Sequence, residues 1–231
     1  MSDPRPIGVF DSGMGGLTVM RALMARLPNE SFVYLGDTAR LPYGTKRADT
    51  VRRYAIQAGK ALVARGVKMV VIACNTASVA LPEVAEALAP LPVVGVIVPG
   101  AKAALAAAPE GPVAIIATET TVKGGAYRAA IRAQGSDIPI VQQACPLFVP
   151  LAEEGLVEGP IVDAVVRRYL EPTLQTVPRP KAVFCLPPST AYVPGFPNTM
   201  GISAAPTSHA MSAQPLFSTS MTSRSAICVP V

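Results

Sequence analysis

An apolar run that stops on polar, helix-opening residues recurs along this chain, and that recurrence limits the folds open to it. Residues 7–10 run into Asp11-Ser12-Gly13-Met14-Gly15-Gly16, followed by a helical pattern at Leu17, Met20, Leu23, Met24 and Leu27. Residues 70–73 run into Cys74-Asn75-Thr76-Ala77-Ser78, and residues 112–117 into Thr118-Glu119-Thr120-Thr121. Short apolar runs bounded by turn residues read as parallel strands covered on both faces. Further strands are expected at 31–35, 92–98, 138–141 and 182–185, and helices at 45–65, from 75 or 76 to about 89, at 100–108 and at 160–170. Asn75 or Thr76 is the expected cap of the helix after Cys74. Regular alternation of strand and helix gives an α/β fold with doubly wound parallel sheets. The design restarts near residue 98, so the reading is two such domains, 1–97 and 98–185, with a cleft between them.

The remaining residues, 186–231, read differently. From Pro172 onward 25 of 60 residues are Pro, Ser or Thr, no acidic residue occurs after Glu171, and helical and strand periodicity are lost. This stretch reads as an irregular, Pro/Ser/Thr-rich tail, so the C-terminal part of the fold is expected to be truncated or irregular.

Composition removes several classes. Half of the 231 residues are apolar and 15% are charged, which suits a packed core rather than a disordered chain. The net charge of +5 is diffuse, without basic clusters interleaved with aromatics, so nucleic acid is not an expected partner. Cys74, Cys145, Cys185 and Cys228 fit no zinc spacing, and no metal is expected. The N-terminus lacks an apolar signal core, and the uncharged residues 87–101 are broken by Pro90, Pro92, Pro99 and Gly100. A cytoplasmic location without membrane contact is expected.

The strand ends carry the chemistry. In open α/β sheets ligands bind at the carboxyl edge, which is where Cys74 falls, and a helix amino end there favours a thiolate. An ordinary buried cysteine is the alternative. Asp11 and Ser12 project from a glycine-rich turn that fits neither the dinucleotide fingerprint nor the P-loop. A loop through Leu41-Pro42-Tyr43-Gly44 can overhang the site, although Tyr43 can equally be packing. The sole histidine, His209, lies in the tail, which argues against a Ser/His/Asp hydrolase or a histidine-ligated metal. A thiol and a carboxylate remain as candidate acid/bases for drawing a proton from a carbon acid.

Residues 7–17, 41–44 and 73–78 together resemble the glutamate racemases of bacterial cell-wall synthesis, and the likeness extends through 118–127 and 144–155. The resemblance implies two α/β domains and a cofactor-independent interconversion of L- and D-glutamate in the cleft between them. It implies that Cys74 is one of two thiol acid/bases serving opposite faces of the substrate α-carbon, with Asp11 assisting it. Ser12, Asn75, Thr76 and Thr118 match positions that hold the α-carboxylate or α-ammonium, with Thr121 as helper. Tyr43 and Gly44 match the binding loop, and Glu153 or Glu154 matches an acidic residue near the second half-site. The expected partners are therefore glutamate and a second copy of the chain.

The family's second motif, Gly-Cys-Thr-His, is absent. Cys185 takes the place of the second thiol by position alone, and Leu186-Pro187-Pro188 follows where threonine and histidine are expected. A shifted reading frame produces such a break, and codons for residues 203–209 read one frame over can spell Gly-Cys-Thr-His-Phe-Pro; the nucleotide sequence tests this hypothesis. A non-catalytic glutamate-binding remnant and an aspartate racemase are the alternative functions.

Overall fold

The computed structural model describes residues 3–185 and 202–204. Two sheets organise it. The first contains β1 (Ile7–Asp11), β2 (Phe32–Gly36), β3 (Met69–Ile72) and β4 (Val93–Gly95), in the order β2-β1-β3-β4 and parallel throughout. The second contains β5 (Val113–Ala117), β6 (Ile140–Ala144), β7 (Ala182–Cys185) and β8 (Ile202–Ala204), in the order β6-β5-β7-β8. The two parallel-sheet α/β domains are as expected, and β8 at the edge of the second sheet pairs antiparallel with β7. An antiparallel edge strand on a parallel sheet is common in doubly wound folds. Apart from β8, the tail expected over 186–231, with His209, Cys228 and most of the frameshift segment, lies outside the described residues.

Side-chain alternation explains why both sheet faces are covered. On β1 and β3, Phe10, Val70 and Ile72 join the core beneath α2 (Ala48–Val63) and α4 (Leu81–Ala87). Val9 and Val71 point the other way, to Val19 and Leu23 of α1 (Gly16–Arg26). The second sheet repeats this arrangement. Ile115 and Phe184 pack under α5 (Ile97–Ala107) and α7 (Ala126–Ala133), while Ile116, Val183 and Cys185 face α9 (Pro160–Leu174).

Several element ends differ from the sequence reading. The helix after Cys74 is two pieces, α3 (Asn75–Ser78) and α4, and the cap of α3 is Cys74 itself, whose sulfur accepts the Ala77 N–H at 3.4 Å. Neither Asn75 nor Thr76 serves as the cap. α5 begins at Ile97, not at Gly100, which leaves β4 three residues long. α9 continues past Leu170 and through Pro172 to Leu174; the Tyr169 carbonyl there receives the Thr173 hydroxyl at 2.7 Å.

Candidate functional site

In each sheet the chain winds outward in both directions from one central pair of strands, β1/β3 and β5/β7. The crevice beyond the carboxyl ends of such a pair is left open because the following helices depart to opposite faces. Asp11 and Ser12 leave β1, Cys74 follows β3, and Thr118 follows β5, so these residues converge by topology.

Around the sulfur, the Cys74 thiol donates to Ser12 Oγ at 3.3 Å while its Sγ accepts from Ala77 N–H. Asp11, almost fully buried, accepts the N–H groups of Gly13 at 3.0 Å and Gly16 at 3.1 Å through Oδ2. Gly16 has to be glycine for this approach, since a Cβ there would lie 2.6 Å from Asp11 Cβ. Burial pushes the Asp11 carboxyl above its ordinary value, against the pull of these backbone donors and of Cys74. The Cys74 thiol is pushed up to about 12, first by burial and then by the Asp11 charge. This corrects the expectation of a thiol lowered by a helix amino end. α3 is one turn long, and its single N–H contact is outweighed by desolvation and a like charge.

A threonine cluster joins the domains through Thr76, two residues after Cys74. Thr76 Oγ1 lies 3.0 Å from Thr118 Oγ1 and 3.3 Å from Thr121 Oγ1, and the last two are 2.9 Å apart. Thr118 caps α6 (Glu119–Gly124) through the Thr121 N–H. Asn75 extends the cluster, its Oδ1 receiving the Tyr127 hydroxyl at 2.6 Å. Several hydroxyls and an amide converging in this way suit a carboxylate guest, which can only accept.

Gly44 comes close enough to Thr118 that a Cβ on it would lie 2.6 Å from Thr118 Cγ2. Its carbonyl receives both the N–H and the hydroxyl of Thr120, at 3.1 and 2.9 Å. The side chain of Tyr43 does not reach into the cluster. Its ring packs on Phe10 and Tyr54, and its hydroxyl is bonded to Asp37 Oδ2, so Tyr43 sets the loop's course.

Cys185 is placed elsewhere. Its side chain packs with Ile116, Cys145 and Tyr169, where burial pushes the thiol up to about 12. In register it pairs with Ile116 as Ile72 pairs with Phe10, while Asp11 pairs Gly36 as Ala117 pairs Ala144. Cys185 therefore holds the place of Ile72, two residues short of the position Cys74 occupies. Glu153 and Glu154 are exposed at the end of α8 (Phe148–Glu153). Among the described residues no three His, Cys, Asp or Glu side chains group to hold a metal, and no helix is long and apolar enough to cross a membrane.

The sequence reading missed four supporting residues. Tyr34 donates to the Gly13 carbonyl at 2.8 Å and fixes the turn after β1; Asp37 holds Tyr43; Thr120 holds Gly44; and Tyr127 holds Asn75. Only Thr120 carried a local signal, its place within the threonine-rich run after β5.

Fold and site define a two-domain α/β protein with a thiol, a carboxylate and a cluster of hydroxyl groups at its strand ends. Residues 7–175 match the family described as Asp/Glu/Hydantoin racemase, and the chain belongs to that family. It is 47% identical over 166 residues to the glutamate racemase of Geobacter metallireducens, covering 72% of this chain and 62% of the relative. It is 50% identical over 171 residues to that of Neisseria meningitidis, covering 74% and 63%. The crystal structure of Francisella tularensis glutamate racemase in complex with D-glutamate is similar, with a TM-score of 0.72 and 41% identity over 79% of this chain and 68% of that one. The chain thus spans a little under two thirds of the length of the curated relatives it matches.

Proposed function

We propose that this chain takes part in the racemisation of glutamate by proton transfer at the α-carbon, with Cys74 as acid/base on one face. The observation that carries the reading is the Cys74 sulfur 3.3 Å from Ser12 Oγ and within the field of the Asp11 charge, on the same turn as Thr76, whose hydroxyl meets those of Thr118 and Thr121. The hydroxyls and Asn75 hold the α-carboxylate, and their fixed dipoles stabilise the charge that builds on it as the proton leaves. Cys74 first gives its thiol proton to the Asp11 carboxylate; the Cα–H bond then breaks, an S–H bond forms on the thiolate, and the electron pair left on the α-carbon is delocalised into the carboxylate. Glutamate also brings an ammonium group into the site, and its positive charge offsets the Asp11 charge that raises the thiol.

Inversion needs a second proton donor on the opposite face. The apolar packing of Cys185 with Ile116, Cys145 and Tyr169 argues against that residue in this role. Glutamate is favoured over aspartate because the relatives at 47–50% identity are glutamate racemases. D-Glutamate supply for peptidoglycan in a reducing cytoplasm is the physiological role that follows, with free glutamate as small-molecule partner and a second copy of the chain as the proposed assembly.

The apolar setting of Cys185 favours one second reading, a glutamate-binding protein that exchanges the α-proton without inverting the centre. Incubating each enantiomer with the purified full chain in deuterium oxide separates the two. Deuterium in the opposite enantiomer supports racemisation. Deuterium confined to one unchanged enantiomer supports the second reading, and no incorporation with either ends both.

A further inference from the structure

The hydroxyl of Tyr127 carries a polar contact from α7 across to the turn that holds Cys74. Tyr127 is only 1% exposed, its ring lies 5.8 Å from that of Phe184, and its hydroxyl meets Asn75 Oδ1 at 2.6 Å. Gly100 leaves room for it, since a Cβ there would lie 2.8 Å from the hydroxyl oxygen. Burial keeps the phenol protonated, and its one proton goes to Asn75 Oδ1.

An asparagine amide has an accepting end and a donating end, and its rotation decides which of them faces a ligand. With Oδ1 engaged by Tyr127, Asn75 turns its NH2 away from α7. Asn75 lies between Cys74 and Thr76, whose hydroxyl belongs to the cluster, and with Oδ1 taken the NH2 is the end of the amide left to meet a ligand. Rotated by half a turn, Asn75 would offer a carbonyl there instead, which suits an ammonium and repels a carboxylate.

We propose that Tyr127 is a positioning residue that locks the Asn75 amide with its NH2 toward the cleft and so makes this part of the site select a carboxylate. The assignment rests on the glutamate reading above.

Calorimetric titration of the full chain with L- and D-glutamate tests it, using Tyr127→Phe, Asn75→Ala, the double variant and Asn75→Asp. Tyr127→Phe keeps the ring and its packing. It is expected to weaken glutamate binding about tenfold, the worth of one directed hydrogen bond to a charged group. In the Asn75→Ala background the same change is expected to matter less than about twofold, because the lock has nothing left to orient. Asn75→Asp still accepts from Tyr127 but replaces the NH2 by an oxygen, so binding should be lost although the fold and its melting temperature are kept. Equal losses from Tyr127→Phe in both backgrounds would mark a purely structural tyrosine and overturn the proposal. Wild-type affinity in Tyr127→Phe or Asn75→Asp would overturn it as well. If the unmodified chain binds neither enantiomer, the glutamate reading itself fails and this inference falls with it.

Discussion

The two central strand pairs have the same architecture and opposite chemistry. At β1/β3 the chain leaves the sheet through Asp11-Ser12 and Cys74-Asn75-Thr76, so every exit is polar and the sulfur stands beyond the strand end. At β5/β7 one exit is polar, Thr118, while the cysteine of the other strand is still inside the ladder, paired with Ile116 and turned to α9. A shift of two residues keeps a side chain on the same face of a strand but moves it about 7 Å along the axis. The thiols therefore differ by position along the sheet, and a fold of the right type does not by itself deliver a second acid/base.

The largest expected effect tests that difference directly. Cys74→Ala should lower D-glutamate formation from L-glutamate by about 10³-fold, the usual scale for a positioned proton-transfer group. Cys185→Ala should leave the rate within about twofold, as for a site remote from the chemistry. Coupled-enzyme detection of D-glutamate reads both. A comparable loss in the two variants would break the comparison and restore Cys185 to the site.

Alkaline stability sharpens the same contrast. Both thiols are raised to about 12 in the fold from an ordinary value of 9.0. Above 9 the unfolded chain sheds these protons while the folded chain keeps them, so the folded state binds more. Stability is then fully present below 9 and falls as pH rises toward 12, by up to about 1.4 kcal/mol per pH unit for each thiol. Urea unfolding across that window should show a shallower slope in Cys74→Ala and in Cys185→Ala. Asp11→Asn removes the charge that helps raise Cys74 and should move the thiolate absorbance of Cys74 alone to lower pH. A shift of the Cys185 titration in that variant would mean that the two thiols share one environment.

Much of this contrast was legible in the sequence, and the illegible part has a physical cause. The strands ending at Asp11, Cys74 and Thr118 were readable because apolar runs stop abruptly on cap-forming residues, and their convergence followed from parallel topology. The standing of Cys185 was not readable. A cysteine that ends an apolar run looks the same in sequence whether it is the last paired residue or lies two places beyond, and only the register with Ile116 decides. The state of Cys74 was misjudged because sequence shows a helix amino end but neither its length of one turn nor the buried Asp11 charge beside it. Tyr127, Asp37 and Tyr34 escaped notice because their partners lie 52, 6 and 21 residues away in sequence, and the hydroxyl of a buried tyrosine leaves no periodic trace.

A smaller effect concerns why the first site can be so crowded. Gly16 lets the start of α1 pass beneath Asp11, and a methyl there would press on Asp11 Cβ at 2.6 Å and Ala73 Cβ at 3.0 Å. Neither neighbour is the free end of a flexible side chain. Gly16→Ala should therefore cost about 1–3 kcal/mol in urea unfolding, the range for overpacking a tight site. Gly135→Ala on the surface, where nothing lies within 4 Å, separates crowding from backbone strain, since its cost comes from a φ of +76° alone. If Gly16→Ala were neutral, Asp11 would be free to move, and its pairing with Cys74 would not be preorganised.

The smallest effect lies in the tie between the two regions. Thr120 stands at the start of α6 in the second domain and reaches the loop of the first, its hydroxyl within 2.9 Å of the Gly44 carbonyl and 2.7 Å of the Lys46 carbonyl. Valine has the same shape without the hydroxyl. In Thr120→Val the Gly44 carbonyl keeps the backbone N–H of residue 120 at 3.1 Å, but Lys46 loses that donor. The expected cost is about 1 kcal/mol, one ordinary hydrogen bond, with the packing unchanged. Thr120→Ser restores the donor and should recover most of it in the same urea series. If the hydroxyl also holds Gly44 against Thr118, the valine variant should raise KM for glutamate while kcat stays nearly constant, because a loop displaced by a few tenths of an ångström weakens binding before it alters the sulfur. Equal KM values in the valine and serine variants would confine Thr120 to joining the domains and leave the shape of the hydroxyl cluster to Thr76, Thr118 and Thr121.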